Sequence, residues 1–238
     1  MTETLAALLL AHVLADFVLQ PDRMVTQKRK PLWFALHITI VLVTALATTG
    51  SLHPALLALA AAHAVIDATK LASRRNGAAA FLLDQAAHLA SIVLIAAFVP
   101  DLFAAGLWSA VPDVPGLFAV AAGAIWTIRA GGFAIGHLMA PWTREITLDG
   151  LTNGGRAIGQ LERGLIFLMV LGGLPEGIGF LIAAKSVLRF GTVKEESRLS
   201  EYVIIGTLAS FGWALVSAWA TLALMAQLPP LGIPAFPP

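Results

Sequence analysis

Ala62-His63-Ala64-Val65-Ile66-Asp67-Ala68-Thr69-Lys70 lies inside a long apolar run, and its three ionisable residues stand at i, i+4 and i+7. At 3.6 residues per turn these positions share one helix face. A stripe of His, Asp and Lys on an apolar helix does not face lipid. Ionisable groups are costly in a bilayer and turn toward protein or a water-filled cavity. Partners for the stripe must therefore come from elsewhere in the chain.

Of 238 residues, 58% are hydrophobic and only 12% are charged, against about 25% charged in a soluble domain. That excludes a water-facing surface of ordinary size and predicts an all-α, polytopic transmembrane helix bundle. The chain has no cysteine, which excludes disulfides and thiolate metal sites. No basic stripe interleaved with aromatics is present, so nucleic acid is not an expected partner. The N-terminus lacks a basic leader and a small-residue cleavage site, and the first apolar segment contains His12 and Asp16. It is read as a retained helix rather than a signal peptide.

A spanning helix needs about 20 mostly apolar residues. That criterion predicts helices over Thr4–Gln20, Leu32–Thr49, Pro54–Ala72, Ala78–Val99 and Leu117–Ala140. A polar segment, Pro141–Glu162, comes next. Two shorter apolar stretches, Gly164–Leu174 and Gly177–Phe190, are split by Pro175-Glu176-Gly177, and a last helix runs over residues 201–228. The tail, Pro229–Pro238, is proline-rich and expected to be extended. The first connection carries Arg23, Lys28, Arg29 and Lys30 and the third Arg74 and Arg75, whereas the second and fourth carry no Lys or Arg. The bias of Lys and Arg toward the cytoplasm places the first and third connections inside and the N-terminus outside. The connections holding Arg144, Arg156 and Arg163, and Lys194 and Arg198, are also basic. Both are cytoplasmic if residues 163–190 form a helical hairpin. The expected total is eight membrane helices, or six plus a re-entrant pair, with the C-terminus outside.

His12, Asp16 and His37 are each followed by the same residue type 51 positions on, at His63, Asp67 and His88. A basic loop lies between the Asp and the second His of each set. This predicts two tandem helical hairpins of the same orientation. Residues 1–100 are accordingly read as a four-helix domain carrying a polar cluster, and 101–238 as a second half.

A rise of about 1.5 Å per residue from the cytoplasmic ends puts Asp16, His37, Asp67 and Asp84 at roughly 6–9 Å depth and His12, His63 and His88 at roughly 12–15 Å. His12/Asp16, His63/Asp67 and Asp84/His88 are i, i+4 pairs, and Gln20 continues the stripe of the first helix. Imidazole and carboxylate are ligands for zinc, iron or manganese. The four histidines are the expected metal ligands, and Asp16, Asp67 and Asp84 the expected catalytic carboxylates. The competing reading is a hydrogen-bonded network that holds helices together. Lys70 is expected near the interface, snorkelling or holding an anionic head group.

His12-Val13-Leu14-Ala15-Asp16-Phe17-Val18-Leu19-Gln20, then His63 to Asp67 with Lys70, then Asp84-Gln85 to His88, resembles the bacterial inner-membrane family catalogued as domain of unknown function 3307. The resemblance covers mainly the first hundred residues. It implies a multi-pass protein of the bacterial inner membrane and no established activity.

In the second half, Arg129 is placed near mid-membrane beside Gly131, Gly132 and Gly136. A lone Arg there requires a carboxylate, Glu162 or Glu176 among others, or a ligand anion. Lys185 and Arg189 are one turn apart and read as anchors facing anionic lipid.

Three functions fit these residues. The first is a membrane-embedded, metal-dependent hydrolase opening to the cytoplasm and acting on a lipid or other anionic substrate, held by Gln20, Lys70, Gln85, Arg129 or Lys185. The second is a proton- or metal-ion-coupled transporter. The third is a non-catalytic scaffold.

Overall fold

The computed structural model describes residues 1–143, 151–190 and 197–231. Arg144, Lys194 and the tail beyond residue 231 lie outside them. Every regular element among the described residues is helical. They are α1 (Thr2–Phe17), α2 (Asp22–Gln27), α3 (Pro31–Thr49), α4 (Ala55–Ser73), α5 (Ala78–Phe98), α6 (Val114–Ile125), α7 (Gly131–Met139), α8 (Gly154–Leu171), α9 (Glu176–Phe190) and α10 (Ser197–Met225). A π-helical turn, Trp126–Ala130, joins α6 to α7.

Among the described residues, five helices are long and apolar enough to cross a membrane: Pro31–Thr49, Ala55–Ser73, Ala78–Phe98, Val114–Met139 and Arg198–Met225. The helices α1 and α9 have 16 and 15 residues. In α8 the polar residues Arg156, Glu162 and Arg163 fall inside the helix. The sequence reading had placed the apolar arm from Gly164 onward, but the helix starts ten residues earlier, after Asn153 in the left-handed conformation.

Local chemistry sets several boundaries. Pro31 opens α3, where its missing N–H costs nothing. Gly50 closes α3 at φ 62, and its amide bonds the carbonyl of Leu46. Expected as far as Gln20, α1 instead stops at Phe17. Pro21 disfavours helical geometry in the residue before it, so Gln20 lies beyond the helix and does not extend its stripe.

The chain forms two compact units. The first holds residues 1–125 with residues 223–231; the second holds Trp126–Leu222. In the first, α1 packs against α3, α5 and α6, while α4 packs against α3 and α5. The helices α1, α3, α4 and α5 thus close a ring. Ala6, Ala7, Ala11 and Ala15 let neighbours approach α1 on several sides, and all four are buried. Leu8, Ala11, Ala45, Leu56, Leu59, Ile92 and Leu102 form the apolar core of this unit. The segment after α5 clamps the end of α3. Trp108 donates to the carbonyl of Ala47 at 2.8 Å, and a Cβ at Gly106 would lie 2.0 Å from the carbonyl oxygen of Thr49.

In the second unit α8 packs against α7, α9 and the π turn. Trp126 and Trp213 stack with ring centroids 5.4 Å apart. Glu162 and Lys185 form a largely buried ion pair at 2.8 Å, joining α8 to α9.

Candidate metal centre

Each ring helix contributes a histidine: His12 from α1, His37 from α3, His63 from α4 and His88 from α5. All four are buried, as are Asp67 and Asp84, and the side chain of Asp16 keeps only 10% exposure. The i, i+4 spacing projects each carboxylate along the same face as its histidine. Ring closure then turns the four faces together.

The tightest part of the cluster consists of four atoms. His37 Nε2 and His63 Nε2 are 3.1 Å apart. Asp16 Oδ1 lies 3.5 Å from each of them. Asp67 Oδ2 lies 3.4 Å from His37 Nε2 and 3.5 Å from His63 Nε2. A tetrahedral ion with bonds of about 2.0–2.1 Å requires ligand atoms about 3.3–3.4 Å apart, and the two nitrogens with either carboxylate oxygen have separations of that size. Among the described residues, three groups have ligand atoms all within 4.8 Å of one another and could hold a metal ion: His12/Asp16/His63, His37/His63/Asp67 and Asp67/Asp84/His88.

The other members are arranged around this set. His12 Nε2 is 3.2 Å from Gln85 Oε1, and its ring stacks on His88 with centroids 5.2 Å apart. His88 Nδ1 is 2.8 Å from the backbone carbonyl of Asp84. Donation to that carbonyl leaves His88 Nε2 as the ring nitrogen with a free lone pair. That atom has no hydrogen-bond partner among the described residues, nor do His12 Nδ1, His37 Nδ1, Asp16 Oδ1 and Asp84 Oδ1. So many unsatisfied buried atoms are unusual in a finished polar network. An apolar cavity lined by Leu8, Val41, Leu59 and Ile92 reaches His12, His63 and His88 from the core side.

Two lysines supply positive charge. Lys28 Nζ lies 2.6 Å from Asp67 Oδ2, and Lys70 Nζ lies 2.6 Å from Asp84 Oδ2. Gln85 Nε2 also donates to Asp84 Oδ2, at 3.1 Å. Lys70 was expected to snorkel, but the carboxylate one helix away captures it. Lys28 was read only as a topogenic charge. It reaches the cluster because the short helix α2 folds the connection back, and no periodic spacing announces that.

The remaining expected site residues lie elsewhere. Gln20 sits past the end of α1, and its amide nitrogen is buried without a hydrogen-bond partner. Arg129 is on the exposed side of the π turn, in the second unit. Lys185, read as a lipid anchor, is instead held by Glu162. The buried arginine of the second unit is Arg163. It donates to the carbonyls of Thr127 and Ile128, at 3.1 and 2.9 Å, and to Ser210 Oγ at 3.0 Å.

Residues 4–110 match the model of a family described as Protein of unknown function (DUF3307), which bears out the resemblance drawn from the motifs of the first hundred residues. No curated protein and no solved structure matches the chain.

Proposed function

We propose that the protein is a multi-pass hydrolase of the bacterial inner membrane that uses a divalent metal, zinc, iron or manganese, in a pocket opening to the cytoplasm. The observation that carries this reading is the set His37 Nε2, His63 Nε2, Asp16 Oδ1 and Asp67 Oδ2, with five separations between 3.1 and 3.5 Å. Metal-free, this packing is poor. Two imidazole nitrogens facing each other share one proton, and Asp16 Oδ1 is left without a donor. A cation beside the two nitrogens and either carboxylate oxygen would bond all three atoms of that trio. Bound there, it would polarise an ester oxygen and lower the pKa of a water molecule.

The substrate class follows from the surroundings. The apolar helices that carry the histidines put the pocket within reach of membrane lipid. The lysines beside Asp67 and Asp84 suit an anionic group. Gln20, with a free buried amide, and Gln85 are the polar contacts proposed from the first unit. The five spans together with α1, α8 and α9 give the eight membrane helices of the proposed topology. The basic residues of the first and third connections then face the cytoplasm and both termini lie outside.

The test uses full-length protein purified in detergent, stripped with a chelator, reloaded with zinc, iron or manganese and desalted. At least one equivalent of one metal is expected to remain. His37→Ala and His63→Ala are each expected to weaken its binding at least tenfold and to abolish hydrolysis of a bacterial lipid extract. Folded wild-type protein that retains no metal would overturn the reading. Metal retention without turnover of any lipid would overturn its hydrolytic part.

A further inference from the structure

Resting on that metal reading, we infer that the pocket holds two divalent cations, the second bound by Asp67, Asp84 and His88, and that the substrate is a phosphate ester. Ligand atoms of these three residues lie within 4.8 Å of one another, and all three residues are buried. They belong to two neighbouring helices, α4 and α5. Asp67 is also a member of the first set, so its carboxylate joins the two positions.

Two observations favour a cation here over a structural hydrogen-bond network. The first is His88, which is 1% exposed. Its Nδ1 is tied to the Asp84 carbonyl, while Nε2 has no partner. A ligating histidine characteristically donates its other ring nitrogen to a carbonyl in this way. The second is Asp84. Its Oδ2 is engaged by Lys70 and Gln85, but Oδ1 is free.

The sequence offset makes His88 the counterpart of His37. Stepping 51 residues carries His37 onto His88 and His12 onto His63. Ring centroids are 5.2 Å apart in the His37/His63 pair and 5.2 Å apart in the corresponding His88/His12 pair. The second half of the pocket repeats the first, with Asp84 and Gln85 added where the first hairpin has Trp33 and Phe34.

Paired cations about 3.5–4 Å apart are suited to an in-line displacement, because they bracket the attacking and leaving oxygens. In the reaction, the oxygen of water bonds to phosphorus and the ester P–O bond breaks. The departing alkoxide takes a proton from the water, and the products are an alcohol and a phosphate. Lys28 and Lys70, released from their carboxylates, would face the phosphate oxygens.

The experiment is loading of the full chain in detergent with manganese, read by elemental analysis and electron paramagnetic resonance. Two ions per chain and a spin-coupled dimanganese signal are expected. His88→Ala and the near-isosteric Asp84→Asn should each drop the count to one and abolish the coupling. One uncoupled ion in wild type, unchanged in both variants, would overturn the second site and leave the first standing. No retained ion would overturn both. The coupled signal in wild type decides the question even if a variant fails to fold.

Discussion

At the scale of the residue, the cluster is a balance of three carboxylates against two ammonium groups, and Lys28 is the most informative member. It neutralises Asp67 from a distance of 2.6 Å while contributing no metal-ligand atom. Replacing it with methionine leaves a buried carboxylate without a counter-charge, which typically costs about 3–5 kcal/mol. Metal-free Lys28→Met is therefore expected to melt well below wild type. Added metal supplies the missing charge, so its stabilising shift should be larger in the variant than in wild type. Thermal melts of both proteins, stripped and reloaded, check this; equal shifts would remove Lys28 from the metal's electrostatics. The histidines and aspartates were legible because helical spacing is visible in a sequence. Lys28 was not, because a connection that doubles back leaves no period. Arg163 was hidden for a related reason. The boundary of the apolar run hid the polar first half of α8, whereas Arg129 stands out in the sequence beside glycines.

Single elements show how polar groups are accommodated without water. In the π turn Trp126–Ala130 the wider winding offers backbone oxygens off the normal ladder, a feature that turns of this kind often carry at functional sites. Arg163 takes up two of them, from Thr127 and Ile128, and adds Ser210. The planar fork of the guanidinium matches these three acceptors, and an ammonium group cannot reach all of them. Arg163→Lys should therefore lower the unfolding free energy by about 1–3 kcal/mol, the usual cost of leaving buried polar atoms unpaired. Denaturant or heat titration in detergent would show it. Metal retention should be unchanged, since the cluster residues all lie in the first unit. Helix positions were largely legible from apolar length. The π turn was not, because an inserted residue leaves the composition of an apolar helix unaltered.

At the scale of the whole molecule, metal and fold are coupled. The four atoms of the proposed first site come from α1, α3 and α4, and the proposed second adds α5. Cations there would tie together all four members of the ring. A ligand present at a thousand times its dissociation constant stabilises the state it binds by about 4 kcal/mol. A chelator should thus lower the melting temperature of the purified protein, and readdition of the ion should restore it. A melt indifferent to chelation would separate the cluster from any structural use of metal. The membrane class and the convergence on four helices could be read from composition and spacing. The division into two units, with residues 223–231 grouped with the first, could not, since it depends on long-range packing. The closed ring also bears on how the protein is made. Because α1 touches α5 as well as α3, His12 and Asp16 leave the ribosome long before the helix that completes their enclosure. Until α4 has been synthesised and inserted, His12 and Asp16 wait without the histidines of the proposed first site, and until α5 follows, the ring around them stays open.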